Sequence, residues 1–111
     1  MLENSLWLRY NPTKTIREVL TRIYECDAVE ISDDERDLYA SLKRHLTKKE
    51  LKMVMMNEAG MSSDEIAAEV GIKVEDLKLA QHKAYRKVRQ EKIRTEVRAN
   101  KVKEEVIEEE E

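Results

Sequence analysis

The chain has 111 residues, 41% of them charged, and a formal net charge of −3 at pH 7. Its length supplies one small hydrophobic core, and with only two glycines and one proline the composition predicts an all-α fold, a small helical bundle. No apolar run approaches the roughly 18 residues of a membrane span, and the single cysteine, Cys26, excludes an intramolecular disulfide. We therefore expect a cytoplasmic protein with no membrane partner, because an unpaired thiol suits a reducing compartment.

Residues 1–45 predict an N-terminal helical segment that packs on the domain or extends it. Trp7, in an apolar lead, is expected to pack against the bundle or a partner subunit. Asn11-Pro12-Thr13 interrupts the chain before an apolar stripe with helical spacing, formed by Ile16, Val19, Leu20, Ile23 and Tyr24.

A second N-terminal helix is predicted after residue 32. Ser32 and Glu35 have the spacing of a capping box, and the stripe that follows contains Leu38, Tyr39 and Leu42. His45 lies at the end of this helix, where a solvent-facing or C-terminal capping role is expected.

Two further capping boxes delimit the next helices. Thr47 with Glu50 is joined by a hydrophobic staple of Leu46 onto Leu51, and these residues open a helix carrying Leu51, Val54, Met55 and Ala59 that ends at Gly60. Ser62 with Glu65 opens the helix of Ile66, Ala67 and Val70.

The spacing of apolar residues in segment 62–82 predicts a helix-turn-helix. Gly71 supplies the left-handed backbone that ends the first helix, and small Ala67 lets the second helix cross closely. The seam between them is expected to bury Ile66, Val70, Ile72, Leu77 and Ala80. Such a unit presents its second helix outward, and the major groove of DNA can admit it. A small helical bundle that merely turns at a glycine is the alternative.

Residues 46–90 resemble the C-terminal DNA-binding region of bacterial sigma-70 factors, which reads the promoter −35 element, and are similar to the helix-turn-helix domain of LuxR-type response regulators. The matching residues are Leu46, Glu50, Gly60, Ser62, Glu65, Ile66, Ala67, Gly71, Leu77, Ala84, Arg86 and Arg89. The resemblance covers about two-fifths of the chain. It implies a tri-helical DNA-binding unit whose second helix, residues 73–89, lies in the major groove.

The outward face of that helix is expected to contact bases through Val74, Glu75, Lys78, Leu79 and His82. Glu75 matches the family's acidic base reader, which can accept a hydrogen bond from cytosine N4. Lys73 and Val74 stand where the family has Ser or Thr followed by Arg, and Lys78-Leu79 stand where it has Arg-Gln. The two aliphatic side chains could touch thymine methyl groups, or the same face could bind a protein.

Charge is distributed unevenly along the chain. Residues 73–103 contain eleven Lys or Arg against four acids, whereas residues 104–111 contain six glutamates. A basic block on and after the second helix is the electrostatic footprint of phosphate binding. The residues expected on DNA phosphates are Lys73, Lys83, Arg86, Lys87 and Arg89.

Residues 91–111 are expected to form a charged helical extension with an acidic tail. The apolar stripe of a long C-terminal helix continues irregularly through Ile93, Val97, Val102 and Val106, too sparsely for burial on a monomer. Three structures are possible for this extension: a helix projecting into solvent, a weak coiled coil, or disorder from residue 104. A homodimer is also possible.

No pattern of residues indicates catalysis, a cofactor or a metal site, since His45 and His82 stand alone and phosphate-cradling glycine loops are absent. We therefore expect a non-enzyme. The first interpretation is a transcription regulator that binds double-stranded DNA like a stand-alone sigma region. The alternative is a protein-interaction adaptor whose helix-turn-helix surface binds RNA polymerase or another regulator.

Overall fold

The computed structural model describes residues 5–99, and these residues confirm the all-α prediction. A turn of 3-10 helix at Ala28–Glu30 accompanies the α-helices, and one isolated antiparallel bridge joins Ile31 to Arg98. The α-helices of the described range are α1 (Leu6–Tyr10), α2 (Ile16–Tyr24), α3 (Glu35–His45), α4 (Lys48–Glu58), α5 (Ser63–Val70), α6 (Val74–Val88) and α7 (Glu91–Glu96). Among residues 5–99, no helix has both the length and the hydrophobicity needed to cross a membrane.

Helix α4 is the element on which the rest of the bundle packs. It contacts α1, α3, α5 and α6, and it buries Leu51, Met53, Val54, Met55 and Met56. Leu51 and Met55 belong to a core shared with the N-terminal helices and α7, whereas Met53 and Met56 belong to a second core shared with α5 and α6. Trp7 joins the first core, 2% exposed, and its indole Nε1–H donates to the carbonyl of Lys14 at 2.8 Å. The prediction that Trp7 packs against the bundle is confirmed.

The caps of the two central helices are those predicted. Thr47 and Glu50 form a complete capping box at α4, and Ser62 and Glu65 form another at α5. Leu46 and Leu51 are both buried in the first core, as the predicted staple requires.

The predicted Ser32–Glu35 capping box is wrong. Asp34 caps α3 instead, accepting from the N–H of Arg36 at 3.0 Å. The Glu35 carboxylate reaches a different helix and accepts from the N–H groups of Ile16 and Arg17 at 2.9 and 3.0 Å. The first N–H groups of α2 have no acceptor within α2 and are partly buried. The Glu35 carboxylate of α3 accepts from two of them, and its negative charge is favourable at the start of a helix.

The chain beyond α6 does not continue as one long helix. The helix ends at Val88, and after Gln90 the shorter α7 packs back on α3. Ile93 and Val97 are buried, 0% and 1% exposed, in the first core. The prediction that this stripe is too sparse to bury on a monomer is therefore wrong for residues 90–99, because the turn at Arg89-Gln90 brings both side chains to a core already built by α2 and α3. Val102, Val106 and the acidic tail lie outside the described residues.

Candidate nucleic-acid interface

Helices α5 and α6 form the predicted helix-turn-helix. Gly71 ends α5 with φ 75° and ψ 40°, in the left-handed region, and its N–H donates to the carbonyl of Ala67 at 2.9 Å. Ala67 is 4% exposed at the crossing of the two helices. Ile66, Val70 and Leu77 are buried in the seam, whereas Ile72 and Ala80 are half-buried against it. The predicted seam is confirmed, with its two outer members partly open to solvent.

The five predicted base-reading residues all lie at the surface of α6. Val74 is 45% exposed and Leu79 is 61% exposed, and Glu75, Lys78 and His82 are exposed as well. Positions separated by three, four or seven to eight residues share a helix face, so these side chains form one continuous outward strip. We call this strip the α6 outer face.

The predicted phosphate-binding cations divide into two groups. Lys73, Lys83, Arg86 and Arg89 are exposed, and no ion pair involves them within residues 5–99. Lys83 and Arg86 lie in the C-terminal half of α6, and Arg89 is the C-cap residue of that helix.

Lys87 differs from the other cations because it already has a partner. It is half-buried, and its Nζ donates to Glu50 Oε1 at 2.9 Å. Partial burial opposes ionisation of Glu50, but hydrogen bonds from the Thr47 N–H and from Lys87 lower the pKa of this carboxyl. The pair joins α6 to the start of α4, so Lys87 has a structural contact in addition to its predicted role on a phosphate.

Acidic residues lie on α5 and in the first turn of α6, at the end of the helix-turn-helix opposite to the cations. The sequence pattern did not predict this cluster. Asp64, Glu65 and Glu69 on α5 are exposed, as are Glu75 and Asp76 in the first turn of α6. Lys52 approaches Glu69 at 4.0 Å. The surface of the unit is therefore acidic around α5 and basic along the second half of α6.

A buried carboxylate anchors α6 from behind. The Glu58 side chain is 5% exposed and pairs with Arg22 and Lys14 of the N-terminal segment. The Tyr85 hydroxyl of α6 donates to Glu58 Oε2 at 2.7 Å and accepts from Asn57 Nδ2 at 2.9 Å. Burial, and then the hydrogen bond to Glu58, raise the pKa of Tyr85. This network holds α6, α4 and α2 together through charges that satisfy one another.

A second hydroxyl fixes the C-terminal end of α6. Tyr24 of α2 donates to the carbonyl of Val88 at 2.7 Å, which satisfies one of the last carbonyls of the helix. The Arg94 guanidinium lies 5.1 Å from the centre of the Tyr24 ring. Sequence reasoning missed both tyrosines as positioning residues, because their partners are 64 and 27 positions away.

Of the two roles expected of His45, solvent-facing or C-terminal capping, the solvent-facing one is wrong. Its side chain is 17% exposed, and Nε2 lies 3.0 Å from Glu96 Oε2. Glu96 also accepts from Ser41 Oγ at 2.6 Å and from Arg44 at 3.0 Å, and these bonds, Ser41 first, lower the pKa of Glu96 to about 2. The cluster fastens α7 to α3. Within residues 5–99, no group of three or more His, Cys, Asp or Glu is arranged to hold a metal ion.

Comparison of the chain with protein-family models, with curated proteins and with solved structures found no match. The resemblance to the sigma-70 DNA-binding region thus stays a prediction from the residues of segment 46–90.

Proposed function

We propose that this protein is a transcription regulator that binds double-stranded DNA with α6 in the major groove. The feature that supports this proposal most directly is the exposure of polar and basic side chains along the α6 outer face. This face exposes Lys78 and His82 between two aliphatic side chains. It also runs into Lys83, Arg86 and Arg89, which form no ion pair with another residue of the range 5–99. A helix of this kind fits the width of the major groove.

Each group on the α6 outer face has a base edge that it can recognise. The Glu75 carboxylate can accept from cytosine N4, and the Lys78 ammonium can donate to guanine O6 and N7. Val74 and Leu79 can contact thymine methyl groups. His82, one helical turn beyond Lys78, carries ring nitrogens that can donate or accept.

The charge asymmetry determines how the unit would sit on a duplex. Phosphates are attracted to the C-terminal half of α6 and repelled by Asp64, Glu65 and Glu69 of α5. We therefore propose that one DNA strand lies along Lys83, Arg86 and Arg89. With so few phosphate contacts, binding should be weak, and its log–log salt slope should be modest, at about 0.9 for each contact.

The test is a gel-shift selection from random-sequence DNA followed by a salt titration of the variants. Replacement of Lys83, Arg86 and Arg89 by Ala should weaken binding to all sequences about equally. It should also reduce the log–log salt slope by about 3, since each phosphate contact contributes about 0.9.

The matched control replaces three exposed cations of α1 and α3, Arg9, Arg36 and Lys43, by Ala. It removes the same charge and should leave the slope near the wild-type value. An equal loss in both triple variants would mean that net charge, and not α6, governs binding, and this would contradict the proposal.

A second function is favoured by a specific observation, the 61% exposure of Leu79 next to an acidic α5. Aliphatic side chains this open are suited to a protein partner with a complementary apolar patch. In this alternative the protein is an adaptor that binds RNA polymerase through α5 and the α6 outer face.

The two functions predict different results from the same variants. If no DNA motif is enriched, and Leu79→Asp abolishes binding to purified core RNA polymerase while the α6 cation triple does not, the adaptor function replaces DNA binding. If a motif is enriched and polymerase does not bind, the adaptor function is excluded.

A further inference from the structure

The exposed large aliphatic side chains of the helix-turn-helix lie on either side of one carboxylate. Among residues 5–99, the exposed large hydrophobic residues are Val29, Val74 and Leu79, which are 75%, 45% and 61% exposed. Val74 comes one residue before Glu75 on α6, and Leu79 comes four residues after it. The open apolar surface of the helix-turn-helix is therefore concentrated within about one helical turn of the Glu75 side chain.

Glu75 and Leu79 lie on the same face of α6. Residues four apart in a helix have Cβ atoms about 5–6 Å from each other, and both of these side chains are exposed. Glu75 forms no ion pair with another residue of the range 5–99. An ionised carboxylate accepts hydrogen bonds and donates none. The pair thus offers a hydrogen-bond acceptor beside an aliphatic group.

The four ordinary bases match this pair only in part. In the major groove, guanine presents two acceptors, which repel a carboxylate, and thymine presents an acceptor beside its C5 methyl group. Adenine presents a donor at N6, but it also presents an acceptor at N7 and has no methyl group. Cytosine presents the N4 donor that Glu75 requires. Its C5 position carries only hydrogen, so cytosine gives Leu79 no methyl group to contact.

5-Methylcytosine supplies both groups that the pair requires. Its N4 amino group donates as in cytosine, and its methyl group is attached to C5, the ring atom next to the one that carries N4. We infer that α6 recognises 5-methylcytosine in double-stranded DNA, with the Glu75 carboxylate accepting from N4 and the Leu79 side chain against the C5 methyl group. This inference rests on the proposed DNA-binding function and names the base that Glu75 and Leu79 read together.

The test begins with selection from two random-sequence DNA pools, one with ordinary cytosine and one with 5-methylcytosine in its place. Duplexes of the enriched motif are then made with cytosine, 5-methylcytosine or thymine at each cytosine position in turn, and fluorescence anisotropy measures Kd. At one position, the 5-methylcytosine duplex should bind about fourfold more tightly than the cytosine duplex, the factor for burying one methyl-sized group. The thymine duplex should bind more than about fivefold more weakly than the 5-methylcytosine duplex, because thymine lacks the N4 donor.

Three variants separate the contributions of the two side chains. Leu79→Ala should bind the cytosine and 5-methylcytosine duplexes equally. Glu75→Gln, whose amide can donate as well as accept, should bind the 5-methylcytosine and thymine duplexes about equally and prefer both to cytosine. Val29→Ala is the matched control, because it shortens an exposed aliphatic side chain outside the helix-turn-helix and should keep the wild-type preference. All three positions are exposed, so these substitutions should leave the fold intact.

The measured affinities distinguish failure of this inference from failure of the proposed function. A motif bound equally with cytosine and with 5-methylcytosine at every position would overturn the inference and leave DNA binding in place. A preference for 5-methylcytosine that persists in Leu79→Ala would also overturn it, because the methyl group would then act through the shape of the duplex. Enrichment of no motif from either pool would contradict the proposed function, and the inference with it.

Discussion

The Tyr85 hydroxyl of α6 and the buried Glu58 carboxylate of α4 are joined by a hydrogen bond of 2.7 Å. Glu58 is also the partner of Arg22 and Lys14, so a single carboxylate connects the candidate DNA-binding helix to the N-terminal segment. Residues 1–45 thereby contribute directly to where α6 sits. A separated segment 46–90 would leave this carboxylate without both of its cations.

Tyr85→Phe should lower the free energy of unfolding by about 1.5–3 kcal/mol, the range for a hydrogen bond to a charged group. Urea denaturation of the two proteins measures the difference. Tyr10→Phe is the control, because no hydrogen bond of its hydroxyl occurs in the described part of the chain. If the two variants lose equal stability, the Tyr85–Glu58 bond contributes nothing specific.

Glu35→Ala should cost about 0.5–2 kcal/mol, as loss of a helix cap does, since the Ile16 and Arg17 N–H groups lose their acceptor. Thermal or urea unfolding checks this value. The neighbouring Asp33→Ala, at an exposed position, should change stability little. An unaffected Glu35→Ala protein would show that solvent satisfies the start of α2 equally well.

Glu96 should make stability sensitive to acid. Its pKa is lowered from 4.5 to about 2 by hydrogen bonds from Ser41, then His45 and Arg44. A carboxyl whose pKa is lower in the folded than in the unfolded state stabilises the protein above the unfolded pKa, and this contribution disappears as the pH falls from about 4.5 towards 2.

Urea unfolding as a function of pH tests this sign. Wild type should exceed Glu96→Gln in stability at neutral pH, and the gap should narrow steadily below pH 4.5. Glu91→Gln, on the same helix, should follow the wild-type curve. A gap between wild type and Glu96→Gln that does not change with pH would rule out the ionised carboxylate as its source.

Ala67→Leu should destabilise the protein by about 1–3 kcal/mol through overpacking, because Ala67 is buried where α5 and α6 cross. Ala68→Leu adds the same volume at the next, exposed position of α5 and should have little effect. Equal melting temperatures for wild type and Ala67→Leu would disagree with the close crossing.

Gly71→Val should be harmful for a backbone reason. A Cβ at Gly71 would meet no atom within 4 Å, but a β-branched residue resists the positive φ of 75°. Gly71→Asn should be milder, because Asn visits the left-handed region more readily. Similar melting temperatures for both variants would mean that the turn relaxes to another conformation.

The sequence determined those features of this protein whose cause lies within a few residues. The Thr47–Glu50 and Ser62–Glu65 boxes, the left-handed turn at Gly71 and the outward phase of α6 follow from hydrogen bonds and side-chain spacing inside one helix or one turn. For the same reason the five residues of the α6 outer face could be named in advance and are all exposed.

Only the tertiary structure decided which distant groups meet. Glu35 accepts hydrogen bonds from α2 and not from its own helix, and Lys87 forms an ion pair with Glu50. His45 lies within hydrogen-bond distance of Glu96, 51 positions away. Ile93 and Val97 are buried because the turn after α6 returns them to a core formed by other helices. The local sequence pattern around a charged or apolar side chain does not indicate its distant partner. The partner depends on which helix faces come into contact when the helices pack.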